Sequence, residues 1–465
     1  MLIDELQTEF TALQRDIGTG PIYPEVSCAE IREHLASNYD FSVPLDLHEI
    51  VADVSKMLRE WDVQITHPRY FGLFNPSVTL PSVTADVLVA MHNPQLASWR
   101  TSPAANEIER YTLGWLSHKF GLPGDTLATF TNGGAEANLS AVIVALTRAF
   151  PDYGENGLRS IDCTPAIYLT AGAHHSFSKI AHMTGLGRNA IRIVPGDDQL
   201  KMDLPNLERQ IAEDRSHGFV PLMVVGTCGT TAAGAIDPLA EIGRFCSEAG
   251  LWFHVDAAWG GAAIISPALQ HHLAGIESAD SITCDAHKWF SVPMGCGMFF
   301  CRHPEIASLA FRADASYMPS QADGDTFDPY THSVQWSRRF TGLKLFMSLA
   351  QRGASGYAEM IEHQAHMGDL LRRCLITSGW RILNSSPLPV VCFTRDGLNI
   401  PDFLTSLREN QIAWMSEAEI SGTPVVRACI TSFLTTEADV LWVTDQINRL
   451  VTKELHSVPA ASGLC

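Results

Sequence analysis

The stretch "PLMVVGTCGTTAAGAIDPLAEIGRFCSEAGLWFHVDAAWGG", Pro221 to Gly261, decides the fold. It opens with an apolar run and breaks at a turn rich in Gly and Thr. It then passes through a helical pattern from Leu239 and returns to a second apolar run that ends in Asp256. The same unit recurs upstream, with "LATFTNGG" before "AEANLSAVIVALTRAF" and "AIYLTAGAHHS" before "FSKIAHMTG". Short apolar runs alternating with helical patterns from about 125 to 300 predict an α/β fold. Its central sheet is open and mostly parallel, with helices on both faces.

The flanks read differently. Residues 1–80 are mainly helical, and Ser27 and Glu30 have capping-box spacing ahead of an amphipathic helix. From about 345 onward, helical patterns mix with the strand-like runs "LPVVCFTR" and "TPVVRACITSF", the mark of a small α+β region. The expected organisation is an N-terminal helical segment (1–80), a large domain (81–345) and a small C-terminal domain (346–465). The aperiodic stretch from Met318 to Ser337 reads as a mobile loop.

Composition narrows the function. With 465 residues, 46% of them hydrophobic and 18% charged, the chain reads as a soluble globular protein. A formal charge of −19 disfavours nucleic acid and anionic membranes as partners. The opening "MLIDELQTEF" lacks the basic and apolar regions of a signal peptide. No apolar run approaches the ~20 residues that span a bilayer. The 11 cysteines include no C-x-x-C pair, so neither a zinc site nor any other metal is expected. Reduced cysteines fit a cytoplasmic protein.

Ligands of open α/β sheets bind beyond the carboxyl ends of the strands, and four such ends carry unusual residues. "TNGGAEAN" (Thr131 to Asn138) runs two glycines straight into a helix, and Gly134 with Ala135 suits a phosphate. A plain strand-to-helix turn would read the same way. No Lys-Ser or Lys-Thr pair follows, so it is not a Walker loop. "AHHS" offers His174 to stack on a flat ligand, and "GTCGTT" offers the Thr230 and Thr231 hydroxyls. "FHVDAAWGG" ends a buried strand in Asp256, a costly carboxylate unless paired. It suits a pyridine nitrogen, with the small Ala258 beside it leaving room for a ring; helix capping is the bland alternative. "SITCDAHK" then delivers Lys288 to another strand end. A lysine in this company is best explained as the anchor of pyridoxal 5′-phosphate.

Taken in order, "HPRYFGLFNP", "SPAANEIE", "TNGGAEANL", "AHHSFSK", "HVDAAWGG", "SITCDAHK" and "SRRFTGLKLF" make the sequence resemble the group II pyridoxal-phosphate-dependent amino-acid decarboxylases. These include the aromatic-amino-acid, glutamate and diaminobutyrate enzymes. The resemblance implies a fold of type I, like aspartate aminotransferase, and a homodimer with active sites at the subunit interface. It also implies decarboxylation of an L-amino acid to its amine and CO₂. Lys288 resembles the Schiff-base lysine, His287 a phosphate contact, Asp256 the partner of the pyridine nitrogen, and Ala258 the residue packed under the ring. His174 is similar to the histidine on the opposite face, and Gly134 and Ala135 to the phosphate turn, where the family often has a hydroxyl at position 135. Tyr330 resembles the lid tyrosine that returns a proton to Cα, with His332 as the alternative donor. Phe74 and Asn75 resemble the substrate-side wall, and Arg100 near its entrance is a candidate for an acidic side chain or a solvated helix residue. Two other readings stand beside this one. One keeps the cofactor for aminotransfer, with Arg427 as a carboxylate clamp, or for aldehyde-forming deamination, and in the other a regulatory protein binds the cofactor without turnover.

Overall fold

The computed structural model describes residues 7, 8, 11, 17–75, 77–313 and 326–457. Seven strands form the central sheet: β1 (Leu127–Thr131), β2 (Thr164–Thr170), β3 (Ile191–Val194), β4 (Phe219–Thr227), β5 (Trp252–Asp256), β6 (Ser281–Asp285) and β7 (Gly297–Cys301). Their order across the sheet is β1-β7-β6-β5-β4-β2-β3. The pairings from β3 through β6 are parallel, while β7 runs antiparallel to both β6 and β1. This is the α/β architecture that the alternating runs predict. Every residue of β5 and β6 is buried, as expected for strands covered on both faces. The helix Gly134–Ala149 packs Ala137, Ala141, Val144 and Ala145 into the apolar layer that includes Ile167, Val225 and Phe299.

The chain divides into two compact units. One takes in 74–366 with Asn384–Val390, and carries the large sheet. The other gathers 17–73, Met367–Leu383 and 391–457. The grouping therefore joins the N-terminal segment to the C-terminal one, where the sequence suggested three consecutive segments. Its core includes Phe71, Leu371, Phe393, Val426 and Ile447. A four-stranded sheet accompanies it, ordered β10-β11-β9-β8, from β8 (Arg381–Ile382), β9 (Val390–Thr394), β10 (Ser416–Ile420) and β11 (Thr423–Cys429). The capping box is present: Ser27 Oγ accepts from the Glu30 N–H, and Glu30 Oε2 accepts from the Ser27 N–H. Of the stretch from Met318 to Ser337, residues 318–325 lie outside those described. No described helix is long and apolar enough to cross a membrane.

Register places the chemistry. Thr227, Asp256 and Thr283 stand side by side on β4, β5 and β6. Asp285 at the end of β6 faces Gly297 of β7, which faces Thr131 at the end of β1. Side chains of different origin are thereby gathered at one edge of the sheet. Two family-like motifs meet just outside it, where Arg338 Nη1 and Nη2 donate to the two oxygens of Glu109 at 3.0 and 2.6 Å. The Gly342 N–H adds a third donor to this buried carboxylate, which makes the burial tolerable.

Gly297 has to be glycine for the edge to close. A Cβ there would lie 2.5 Å from Thr131 Oγ1 and 2.6 Å from the Gly133 Cα. Backbone cannot yield as a flexible side chain can. Gly297→Ala is expected to cost about 1–3 kcal/mol in urea unfolding, the usual range for overpacking.

Candidate active site

A cleft of about 220 Å³ opens at this edge of the sheet. The helix Gly134–Ala149 begins at its rim, directing unpaired backbone N–H groups and the positive end of its dipole there. A Cβ at Gly134 would stand 2.9 Å from Asp285 Oδ2 and 3.3 Å from the Ala258 Cβ, so the turn lies close against β6 and the β5 end. His287 flanks it, within 3.3 Å of where a Cβ on Gly133 would stand. His287 Nδ1 accepts from the Cys296 N–H at 3.2 Å. Burial, reinforced by Lys288 and Lys344, holds this imidazole below its ordinary range against the pull of Asp285.

Across the cleft, Asp256 is 4% exposed. Its Oδ2 accepts from Asn138 Nδ2 at 3.0 Å and its Oδ1 from the Ala258 N–H at 3.2 Å. Lys288 extends its Nζ to 3.0 Å from Asp285 Oδ2 and lies 5.8 Å from the centre of the Phe74 ring. Phe74 in turn stacks on Trp259 at 4.3 Å, and Trp259 on Trp289 at 5.2 Å. This aromatic pile forms a rigid wall. The ring of His174 also lines the cleft. Its Nδ1 accepts from the Ser176 N–H at 3.2 Å, which leaves the proton of the neutral ring on Nε2. Lost hydration holds His174 below the usual imidazole range; Lys288 adds to this and Asp256 opposes it.

Three lining residues carry a buried polar atom with no partner among the described residues: Thr227 Oγ1, Trp259 Nε1 and Asp285 Oδ1. Such atoms are uncommon in a finished core and mark a place where a polar occupant completes the bonding. The donor set fits a phosphorylated pyridine aldehyde. A glycine turn at a helix N-terminus suits the phosphate, a buried carboxylate suits the ring nitrogen, and a lysine amine suits the aldehyde.

Lys288, His287, Asp256, Ala258, His174, Gly134, Ala135 and Phe74 therefore meet around one cleft. Five other candidates do not line it within their own chain. The Thr230 hydroxyl accepts from the Ala235 N–H at 3.0 Å and ties its own turn, while Thr231 lines the cleft. Asn75 is half-buried outside the lining, and Arg100 is exposed on the single turn Trp99–Thr101. Tyr330 sits on a turn fixed to the Ala97 carbonyl and packs against Trp336. His332 stacks on Phe327 at 4.4 Å and lines a separate cavity with Arg338. Within the other unit, Arg427 is buried and gives Nη1 to the Gly72 carbonyl at 2.7 Å, an engagement that disfavours a carboxylate clamp. Sequence reasoning passed over Asn138, His254 and Asp285. Spacing could have found two of them: Asn138 lies one helical turn beyond Gly134, and His254 shares a strand face with Asp256.

Comparison with known proteins shows the family. The model of the pyridoxal-dependent decarboxylase conserved domain matches residues 33–395. The chain is 32% identical to L-2,4-diaminobutyrate decarboxylase of Acinetobacter baumannii, over 78% of this chain and 75% of that one. It is 26% identical to tryptophan decarboxylase 2 of Oryza sativa subsp. japonica, over 92% and 90%. The crystal structure of Catharanthus roseus tryptophan decarboxylase in complex with L-tryptophan has the same fold, with a TM-score of 0.89 at 24% identity over 97% of both chains.

The tied-up Thr230 gives a test of the turn. Thr230→Val removes the acceptor of a buried N–H, and urea unfolding of the cofactor-free protein is expected to show a loss of about 1–3 kcal/mol.

Proposed function

This chain belongs to the pyridoxal-dependent decarboxylase family and is an amino-acid decarboxylase that works with pyridoxal 5′-phosphate; we propose that Lys288 and Asp256 engage that cofactor from opposite sides of the cleft. When bound, the cofactor supplies an aldehyde that condenses with amines and a protonated ring that accepts the electron pair left by departing CO₂. Lys288 would hold the aldehyde through its Nζ, at the position that the substrate amine takes over. Asp256 would keep a proton at the ring nitrogen. The backbone N–H groups at Gly134 and Ala135, with His287 beside them, would hold the phosphate. His174 and Ala258 would pack against the ring.

The observation that carries this reading is the placement of Lys288, Asp256 and the glycine turn on one cleft. Because similar proteins act on tryptophan and on 2,4-diaminobutyrate, the substrate is proposed only as an L-amino acid. Phe74, stacked on Trp259, is its proposed wall. For return of a proton to Cα the proposed donor is Tyr330 or His332, delivered to the cleft of a second copy. A cytoplasmic homodimer is proposed on two supports. Phe41, Val43, Leu45, Leu47 and Leu58 are exposed in the N-terminal stretch, an apolar surface that a second copy would cover. The described cysteines are all free thiols, as suits a reducing compartment.

An amino-acid panel scored for CO₂ and amine tests the reaction. Stoichiometric transfer of the amino group to a keto acid would overturn it. Borohydride reduction followed by peptide mass spectrometry is expected to find the cofactor on Lys288; attachment to another lysine would refute the assignment. Between Tyr330→Phe and His332→Gln, one is expected to cut amine formation by about 10²–10⁴-fold, the range for loss of a proton donor, with substrate affinity retained.

A further inference from the structure

Behind Asp256 lies a line of buried polar side chains that the reaction itself does not use. Trp252 Nε1 donates to Ser281 Oγ at 2.9 Å, and Ser281 Oγ lies 2.8 Å from His254 Nδ1. His254 Nε2 is 3.1 Å from Asn138 Oδ1, and Asn138 Nδ2 donates to Asp256 Oδ2 at 3.0 Å. Trp252, Ser281, His254 and Asn138 are each at most 3% exposed. The groups come from three elements, β5, β6 and the glycine-led helix.

Chemistry fixes the direction of every bond in this line. An ionised Asp256 only accepts, so the amide of Asn138 must turn its N–H toward it and its oxygen toward His254. His254 must then donate from Nε2. A neutral ring has one N–H, so Nδ1 is bare and takes the proton of the Ser281 hydroxyl. The far end is compatible with this direction. The Trp252 indole can only donate, so Ser281 Oγ accepts from it and has its own proton left for His254. Thr283 Oγ1, at 3.5 Å from His254 Nε2, is a more distant contact. Burial supports a neutral ring, holding His254 down to about 4.

We propose that Trp252, Ser281, His254 and Asn138 form a one-way hydrogen-bond relay that positions Asp256. His254, locked as the Nε2–H tautomer, is its central positioning residue. The relay runs one way, because the carboxylate at its near end can only accept. It holds the Asn138 amide in the orientation that donates to Asp256, leaving the outer lone pairs of that carboxylate for the cleft. A flipped amide would present oxygen to oxygen and push the carboxylate out of line. This reading builds on Asp256 as the partner of the ring nitrogen, but the tautomer of His254 is measurable without any cofactor.

The test uses ¹⁵N-histidine-labelled, cofactor-free protein at neutral pH. The His254 resonances are assigned by their loss in His254→Gln, or by their contact with the neighbouring Phe177 ring, 6.0 Å away. Protonated Nε2 with bare Nδ1 is expected; an Nδ1–H ring or a doubly protonated ring overturns the relay whatever Asp256 does. Ser281→Ala then cuts the line at a residue remote from the cleft. It is expected to populate the other tautomer and to release bound cofactor about tenfold faster, the equivalent of one buried hydrogen bond. Unchanged release overturns the positioning role. Should Ser281→Ala fail to fold, the tautomer of the unaltered protein decides alone.

Discussion

A carboxylate at the end of a fully buried strand is the constraint around which this molecule is organised. Asp256 terminates β5, whose every residue is buried, and its desolvation has to be met by directed hydrogen bonds. Two N–H groups meet it, one from Asn138 and one from its own turn at Ala258. A charge held this way cannot relax by moving into water. It can act on whatever enters the cleft, and at low local polarizability that action is stronger than it would be in solvent.

The parallel register makes the arrangement possible. Strands β4 and β5 end level and β6 runs two residues further, so Thr227, Asp256 and Asp285 reach one edge from different segments of the chain. The antiparallel β7 closes the edge with Gly297, whose missing side chain lets the Gly133 backbone lie against it. The two carboxylates then differ in company. Asp256 has amide partners on both oxygens, whereas Asp285 pairs with Lys288 on one oxygen and leaves the other without a partner among the described residues. The first is fixed by its amide partners, and the second sits beside the Lys288 amine.

Much of this was legible in the sequence. The alternating runs from 125 to 300 give the sheet, because buried parallel strands are apolar throughout and end in conspicuous small or polar residues. Lys288, Asp256, His174 and the glycine turn were found for the same reason: each interrupts an apolar run where a fold of this class binds ligands. Thr230 shows what was not legible. Two adjacent threonines read alike, and only the turn geometry decides that one caps an N–H while its neighbour faces the cleft. Tyr330, His332 and Arg100 lie on turns whose direction no periodicity encodes. The grouping of 17–73 with the C-terminal segments was hidden too, since packing between distant segments leaves no local signature.

The account rests on two side chains acting on one occupant. A crystal structure of the protein grown with pyridoxal 5′-phosphate tests that most directly. It should show the ring nitrogen within hydrogen-bond distance of Asp256, the aldehyde carbon joined to Lys288 Nζ, and the phosphate on the turn at Gly134 and Ala135. A ring turned so that its nitrogen faces away from Asp256, or a cofactor seated in any other cavity, would contradict it.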